Sequence, residues 1–297
     1  MSTAAPVPAE ALERCFAIDC AGERLPAILH PGTPGAARGV LVVVGGPQTR
    51  VGSHRQFVLL ARQLAAAGVP VLRFDYRGMG DADGEARSFE DVDADLAAAC
   101  AAFRRESPGL GEIVIWGLCD AASAALFHAW RAPQGIAGLV LLNPWVRTDT
   151  GEARAYIGHY YRRRLLSAAP WKKMLRGEFD FRGSLRSAFG LLRRALARTP
   201  ADTQAGGADD PTLGLALPAR MAECLRRFRG PVLLVLSGDD LTAAEFRDCV
   251  QQSAQWQALL AEARVTRREL AGANHTFSRR VWRDAVADWT LEWLHTW

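Results

Sequence analysis

Short apolar runs alternate with longer amphipathic stretches along most of the chain. A continuous apolar run of the kind found in strands buried on both faces occurs at 40–44, and further strands are predicted at 71–76, 113–116, 138–143, 232–237 and 265–270. Stretches with helical periodicity lie between or after them, at 54–67, 89–105, 120–130, around 242–263 and from 277 onward. This order predicts an α/β fold with a mostly parallel, doubly wound sheet covered by helices on both faces.

Two segments precede this pattern at the start of the chain. Residues 14–18 and 25–30 flank Ala21-Gly22 and are predicted to form a strand pair turned at the glycine. Residues 1–13, rich in Ala and Pro, are predicted to be a flexible tail without the basic start and apolar run of a secretory signal. Residues 14–297 are then expected to form a single domain.

The strand and helix alternation stops between about 145 and 229. Basic amphipathic segments at 156–166 and 185–197 and a Gly/Asp/Pro-rich stretch at 201–214 replace it. Because this stretch leaves one sheet strand and returns at the next, it is predicted to be a lid insertion at the carboxyl edge of the sheet, where ligands bind in folds of this class. Its arginines and its two lysines, Lys172 and Lys173, either face an anionic acceptor or form a solvated surface.

Composition narrows the function classes. With 49% apolar and 23% charged residues the chain is an ordinary globular one, and a net charge of +4 without a reading motif argues against nucleic-acid binding. No apolar run approaches the roughly 18 residues of a membrane span, so stable membrane insertion is not expected. The six cysteines and six histidines are dispersed, which favours reduced thiols in a cytoplasm and predicts neither a metal site nor a cofactor. The oligomeric state cannot be read from the sequence.

The sharpest local feature is a strand, tight turn and helix over residues 112–123, with Cys119 at the turn. A reactive residue held in strained backbone at such a turn needs small residues two positions away on either side, and Gly117 and Ala121 are small. A helix N-terminus and a nearby imidazolium also lower the pKa of a thiol from ~8.5 towards neutral. Cys119 is therefore the predicted nucleophile. The alternatives are a buried structural cysteine here, as expected of the other five, or Ser123, which should point into the helix packing.

An acid and a base are expected after the last two strands. Gly238, Asp239 and Asp240 follow one strand, and His275 lies in the loop after the next. Nucleophile, acid and histidine then occur in the chain order of triads built on such sheets. His275 is the predicted general base and Asp240 the acid that orients it. Asp239, nearer the strand, is expected to cap the turn and remains the alternative acid.

Backbone donors for a substrate oxygen are expected at two places. The loop after the strand at 40–44 reads Gly45-Gly46-Pro47-Gln48, and Pro47 has no N–H to offer. The N–H groups of Gly46 and of Asp120, directly after Cys119, are the predicted oxyanion-hole donors, and losing one such donor typically costs ~2.7–4 kcal/mol in the transition state.

Taken together, these motifs resemble a known family. The Gly45–Gln48 loop, the loop at 74–80, the turn at 117–121 and the segments 237–242 and 274–277 are similar to the exosortase A system-associated hydrolase 1 group of the α/β-hydrolases, over nearly the whole chain from about Cys15. The resemblance implies an α/β-hydrolase fold and a bacterial cytoplasmic hydrolase encoded alongside exopolysaccharide and exosortase functions. It implies Cys119 as nucleophile, Asp240 as acid and His275 as base. A cysteine in place of the usual serine argues against ordinary peptidase or lipase activity.

The resulting hypothesis is a hydrolase that forms an acyl-enzyme on Cys119. Its expected substrates are small-molecule or carrier-linked acyl esters and thioesters, whose leaving groups need less proton donation than an amine. Two alternatives remain open: an acyltransferase on the same triad, and a catalytically silent hydrolase fold that binds a partner.

Overall fold

The computed structural model describes residues 13–46, 48–146 and 210–297, which form one eight-stranded sheet with helices on both faces. The strands are β1 (Arg14–Cys20), β2 (Glu23–His30), β3 (Arg38–Val43), β4 (Val71–Phe74), β5 (Glu112–Leu118), β6 (Ile136–Leu142), β7 (Val232–Ser237) and β8 (Val265–Leu270). The helices are α1 (Gln56–Ala66), α2 (Asp93–Glu106), α3 (Asp120–Arg131), α4 (Leu217–Arg227), α5 (Leu241–Gln251), α6 (Ala254–Leu260) and α7 (Arg280–Leu294). The predicted mostly parallel, doubly wound architecture is confirmed.

The sheet has the strand order β1-β2-β4-β3-β5-β6-β7-β8, and the six strands β3 to β8 run parallel to one another. From β3 the chain first adds β4 on one side and then crosses to β5 on the other. The carboxyl ends of β3 and β5 therefore form a topological switch point, the place where open sheets of this kind bind ligands. The Gly45-Gly46 loop follows β3 after Val44, and Cys119 directly follows β5.

The predicted hairpin at the sheet edge is confirmed. β1 and β2 pair antiparallel from Arg14↔Leu29 to Cys20↔Glu23 around a two-residue turn. Ala21 and Gly22 have φ values of 55° and 86°, and two positive φ angles are what the hairpin turns matching strand twist require. β2 then pairs antiparallel with β4, which joins the hairpin to the parallel part of the sheet.

The apolar runs of the central strands account for the core. Every residue of β4 and β7 is buried, as are residues 39–43 of β3 and 113–118 of β5. Helices α1 and α7 contact each other on one face, while α2, α3, α4 and α6 form a chain of contacts on the other. A sheet buried on both faces explains why these strands read as unbroken apolar runs.

One predicted helix is two in the structure. The periodic stretch around 242–263 divides into α5 and α6, because Ser253 ends the first and caps the second by accepting a hydrogen bond from the Trp256 N–H at 3.3 Å. Gln257 completes the joint by donating its side-chain amide to the carbonyls of Val250 and Gln251 at 3.2 and 2.9 Å. Apolar periodicity alone does not show such a break.

The structure describes only the end of the predicted insertion. The stretch Leu217–Arg227 is α4, which packs on α3 and buries Met221, Cys224 and Leu225 in the core. This part of 145–229 therefore belongs to the helical layer of the sheet. The basic segments at 156–166 and 185–197, and the tail at 1–12, lie outside the described residues. Among the described helices, none is long and apolar enough to cross a membrane.

Candidate active site

Cys119 lies between β5 and α3 in a strained backbone conformation, with φ 65° and ψ −126°. A non-glycine residue in this region is rare and is maintained only where the surroundings enforce it. The Cys119 N–H donates to the Leu142 carbonyl at 2.9 Å, and its own carbonyl accepts from the N–H groups of Ala122 and Trp145. These bonds hold the turn at the end of the sheet, with the side chain partly exposed at the N-terminus of α3.

The strand and the helix meet closely at this turn because Gly117 has no side chain. A Cβ at position 117 would lie 2.6 Å from the backbone carbon and oxygen of Ala121 and 2.8 Å from the nitrogen of Ala122. Contacts under 3.0 Å to backbone atoms cannot be relieved by a side-chain rotation. The predicted requirement for a small residue before the turn is thus explained by helix and strand packing.

His275 and Asp240 come together at the same edge of the sheet. The His275 Nδ1 lies 3.0 Å from the Asp240 Oδ1, and the two side chains are 32% and 6% exposed. This distance permits a hydrogen bond, although the ring N–H is not aligned with the oxygen as a formed bond requires. The acid is therefore shielded from water and the imidazole is accessible, as expected for an acid that orients a base.

The structure distinguishes between the two aspartates after β7. Asp239 is exposed and its N–H donates to the Ala273 carbonyl at 2.9 Å. Asp240 is buried, faces His275 with one carboxylate oxygen, and accepts the Ala243 N–H with the other at 3.0 Å. Asp240 is also the N-cap of α5, and this bond holds its carboxylate towards the histidine.

A buried asparagine connects the ends of β6, β7 and the histidine loop. The Asn143 side chain donates to the Ser237 Oγ at 2.8 Å and to the His275 carbonyl at 3.1 Å, and accepts the Ser237 N–H at 2.8 Å. The Ser237 Oγ in turn donates to the Asn274 carbonyl at 3.0 Å. Sequence reasoning missed Asn143, although an amide ending an apolar strand before a proline was a usable signal, since such a buried group must find partners.

Of the two predicted oxyanion donors, the Gly46 N–H is hydrogen-bonded within the protein. The Gly46 N–H donates to the carboxylate of Asp120, at 2.8 Å to Oδ1 and 3.0 Å to Oδ2. The Asp120 Oδ1 also accepts the Ala121 N–H at 3.0 Å. Position 45 must be glycine, because a Cβ there would lie 2.3 Å from this oxygen. The Gly46 N–H, one of the two predicted oxyanion donors, is therefore bound by the carboxylate of Asp120.

The serine, histidines and cysteines outside the proposed triad lie in different surroundings. Ser123 is fully buried and donates to the Trp145 carbonyl at 2.8 Å, so it points into the packing as expected. His128 is buried 2.8 Å from Asp93, and His30 is buried beside Arg73, whereas His54 is exposed. His159 lies outside the described residues. Burial raises the pKa of the Cys100 thiol to about 12 and those of Cys224 and Cys249 to about 11, which makes these three poor nucleophiles.

A family model described as serine aminopeptidase, S33 matches residues 35–276, from the start of the parallel sheet to the histidine loop. The chain belongs to this family of α/β-hydrolases. The matched region contains Cys119, Asp240 and His275, so this chain has a cysteine at the turn between β5 and α3 although the family is described as a serine aminopeptidase. No curated protein matched the sequence.

Solved structures share the fold at low sequence identity. An esterase from Pyrococcus furiosus, Pf2001, superposes with a TM-score of 0.63 and 16% identity, over 100% of this chain and 98% of that one. Est1E from Butyrivibrio proteoclasticus, solved with ferulic acid bound, gives 0.59 and 17% over 94% and 99% of the two chains. A dienelactone hydrolase from Anabaena variabilis gives 0.56 and 16% over 96% and 97%. These similarities establish the α/β-hydrolase fold.

Proposed function

We propose that the protein is an esterase or thioesterase that works through Cys119, His275 and Asp240 and a covalent acyl-enzyme. The observation that carries this proposal is the contact of a shielded Asp240 with an accessible His275, 3.0 Å apart, at the sheet edge that also presents Cys119 in a strained turn. The three residues have the chemistry that acyl transfer needs, and they follow three different strands in the chain order of α/β-hydrolase triads. This combination supports a catalytic role.

The reaction follows from which imidazole nitrogen remains available. Since the His275 Nδ1 faces Asp240, the Nε2 accepts the thiol proton of Cys119. The sulfur then bonds to the substrate carbonyl carbon. When the tetrahedral intermediate collapses, the bond to the alcohol or thiol leaving group breaks and that group takes the proton from Nε2. In the second half, water gives a proton to Nε2, attacks the thioester carbon and releases the acid and the free thiol.

Esters and thioesters fit this site better than amides. Their leaving groups depart with little proton donation, which suits a site where the protonated His275 is the proton donor of the proposed triad. One of the similar structures, Pf2001, is named as an esterase, which supports the same substrate class. No metal or cofactor is part of the proposed mechanism.

The biological setting proposed rests on the sequence resemblance. The resemblance to the exosortase A system-associated hydrolase 1 group favours a bacterial hydrolase linked to exopolysaccharide and exosortase functions, and its substrate is proposed from the triad chemistry as a small-molecule or carrier-linked acyl compound. A cytoplasmic location is part of the same proposal, because the six dispersed cysteines are typical of a reducing compartment.

The test is hydrolysis of a panel of p-nitrophenyl esters and acyl-CoA thioesters by wild type, Cys119→Ala and His275→Ala. Both variants are expected to lose at least about 1,000-fold in kcat/KM, since triad members act as a unit. Cys15→Ala is the matched control, because Cys15 is also exposed to solvent but lies on the edge strand β1. Mass spectrometry of the wild type quenched during turnover should show the acyl group on the peptide containing Cys119.

Each other outcome has a defined meaning. Turnover that persists in Cys119→Ala rejects the mechanism. Acyl transfer to an added amine or sugar hydroxyl, at the expense of the free acid, would make the protein an acyltransferase on the same triad. Absence of both turnover and acyl-Cys119 across the panel would favour a catalytically silent binding protein.

A further inference from the structure

The carboxylate of Asp120 accepts a hydrogen bond from a backbone N–H group that is proposed to bind the oxygen of an acyl substrate. The proposed oxyanion donors are the N–H groups of Gly46 and of Asp120 itself. The Gly46 N–H donates to the Asp120 carboxylate, at 2.8 Å to Oδ1 and 3.0 Å to Oδ2. One of the two proposed donors therefore already binds an anionic oxygen, which belongs to the residue next to the proposed nucleophile.

This arrangement is built into the packing of two loops. Gly45 approaches the carboxylate so closely that any side chain there would overlap it, with a Cβ 2.3 Å from Oδ1 and 2.6 Å from the Leu118 carbonyl. The Ala121 N–H, at the start of α3, also donates to the same Oδ1 at 3.0 Å. The carboxylate is thus held by the loop after β3 and by the helix N-terminus together.

Charged and titratable groups from two other loops face Asp120. Tyr76, after β4, is buried, and its pKa is raised by that burial and by the negative charge of Asp120. The charge of His275, after β8, lowers the pKa of Asp120, as do the backbone N–H groups. Burial is the largest influence and raises the pKa of Asp120 above its usual value. The charged carboxylate is therefore bonded in place but incompletely solvated there, so moving it towards water recovers part of its hydration.

A carboxylate in this position opposes the chemistry of the site. Negative charge develops on the substrate oxygen as the tetrahedral intermediate forms, and the N–H groups can stabilise it only if the oxygen reaches them. With the carboxylate bound, the new oxyanion meets a like charge and finds the Gly46 N–H already bonded.

We infer that Asp120 closes the oxyanion site of the substrate-free protein and acts as a specificity-determining residue. This inference rests on the proposed function of Cys119. An acyl substrate must displace the Asp120 side chain from Gly46, so substrates with many other contacts to the protein react, and small generic esters react poorly. The two N–H groups can then stabilise the oxyanion of a small ester fully only when the Asp120 side chain is removed.

The test compares wild type with Asp120→Ala and Asp120→Asn on p-nitrophenyl acetate. Asp120→Ala is expected to raise kcat/KM at least about 10-fold, because one oxyanion donor is typically worth 10²- to 10³-fold. Asp120→Asn keeps an acceptor for the Gly46 N–H but lacks the charge, and should give a smaller gain. It also guards against a folding defect of the alanine variant. The added activity must disappear in Cys119→Ala/Asp120→Ala.

A second readout does not depend on turnover. Once the side chain of residue 120 is gone, a free carboxylate can take its place, so sodium acetate should raise the Tm of Asp120→Ala relative to sodium chloride at equal ionic strength. Wild type and Asp239→Ala should show no such difference, since both keep Asp120. Asp239 is the matched control because it is an exposed carboxylate at the same sheet edge.

The two proposals fail separately. If wild-type turnover depends on Cys119 but Asp120→Ala is slower than or equal to wild type, Asp120 does not block the site and the inference is overturned. If turnover is independent of Cys119, the proposed function fails, while the acetate effect on Tm still decides whether Asp120 occupies an anion site. No acetate effect in Asp120→Ala contradicts that occupancy.

Discussion

Asp120 and Asp240 are both aspartates that begin or cap a helix at the active-site edge, yet they have different partners. Asp240 accepts the Ala243 N–H of its own helix and leaves its other oxygen towards His275. Asp120 reaches across to the loop after β3 and takes the Gly46 N–H. One side chain therefore faces the proposed base, and the other binds a backbone N–H that is proposed to hold the substrate oxygen.

The role of Asp240 can be tested without disturbing the fold. Asp240→Asn keeps the N-cap of α5, because asparagine caps helices as well as aspartate does. It removes the charge that stabilises the imidazolium, so kcat should fall by about 10²- to 10⁴-fold while the unfolding free energy changes little. Activity is measured with the best ester of the panel, and stability by urea unfolding.

The neighbouring carboxylate supplies the control. Asp239→Asn changes an exposed side chain at the next position and should leave kcat within about two-fold, as a surface substitution does. If Asp239→Asn were the inactive variant and Asp240→Asn the active one, the assignment of the acid would move to Asp239.

At the scale of elements, the site depends on how closely β5 approaches α3. The strained turn at Cys119 exists because the strand end and the first turn of the helix pack directly on each other at Gly117. Asn143 fixes the opposite side of the site, since its three hydrogen bonds connect β6 and β7 to the backbone of His275. The nucleophile and the base are thus positioned by separate contacts that both end on the sheet.

Gly117→Ala should separate strand and helix. The added Cβ would lie 2.6 Å from Ala121 backbone atoms, so the helix must shift. Such overpacking typically costs about 1–3 kcal/mol of stability, and a shift of the Cys119 turn should lower kcat/KM about 100-fold. Urea unfolding and ester hydrolysis measure the two effects.

Gly111→Ala is the matched control for this substitution. Gly111 directly precedes β5, and a Cβ there meets no atom within 4 Å. Its stability should stay within about 0.5 kcal/mol of wild type and its activity should be unchanged. Equal effects of the two substitutions would show that close packing at Gly117 is not what forms the turn.

At the scale of the whole molecule, a buried polar network crosses from the edge hairpin to the loops around the site. The Arg73 Nε donates to the His30 Nε2 at 2.9 Å, and its Nη1 donates to the Arg50 carbonyl. Arg50 also pairs with the fully buried Asp75 and with Asp81, at 2.8 Å from the latter. This network joins β2, β4 and the loop after β3, so it links global stability to the loop that carries Gly46.

His30 makes this network sensitive to acid. Burial lowers the pKa of His30 from its ordinary 6.5 to about 4, and the Arg73 charge acts in the same direction. Because the folded state disfavours the proton, its contribution to stability is complete above pH 6.5 and is lost as the pH falls from there to about 4. The loss should amount to about 3 kcal/mol of unfolding free energy.

Urea unfolding at pH 7 and pH 4.5 measures this contribution. His30→Gln keeps an acceptor for Arg73 but does not titrate, so it should lose less stability than wild type between the two pH values. His54→Gln, at an exposed histidine, should lose as much as wild type. An identical loss in all three proteins would place the acid sensitivity elsewhere.

Much of the fold was predictable because burial imposes a pattern on each segment separately. Parallel strands covered on both faces are largely apolar, and β7 was located to the residue for this reason. The turn at Cys119 was recognisable because its strained backbone requires Gly117 before it. Ser253 was overlooked as a helix boundary, since a single polar residue changes the helical period very little.

Sequence by itself determined the parallel architecture, the position of Cys119 and the order of its candidate partners, since each follows from local backbone and burial requirements. Only the tertiary structure decided that Asp240 rather than Asp239 faces His275, that Asn143 holds the histidine loop, and that the Asp120 carboxylate binds Gly46. Each of these contacts joins residues that are far apart in the chain. The separation runs from 35 positions between Asp240 and His275 to 132 between Asn143 and His275. Such meetings are set by the packing of the whole sheet, and no local pattern records them.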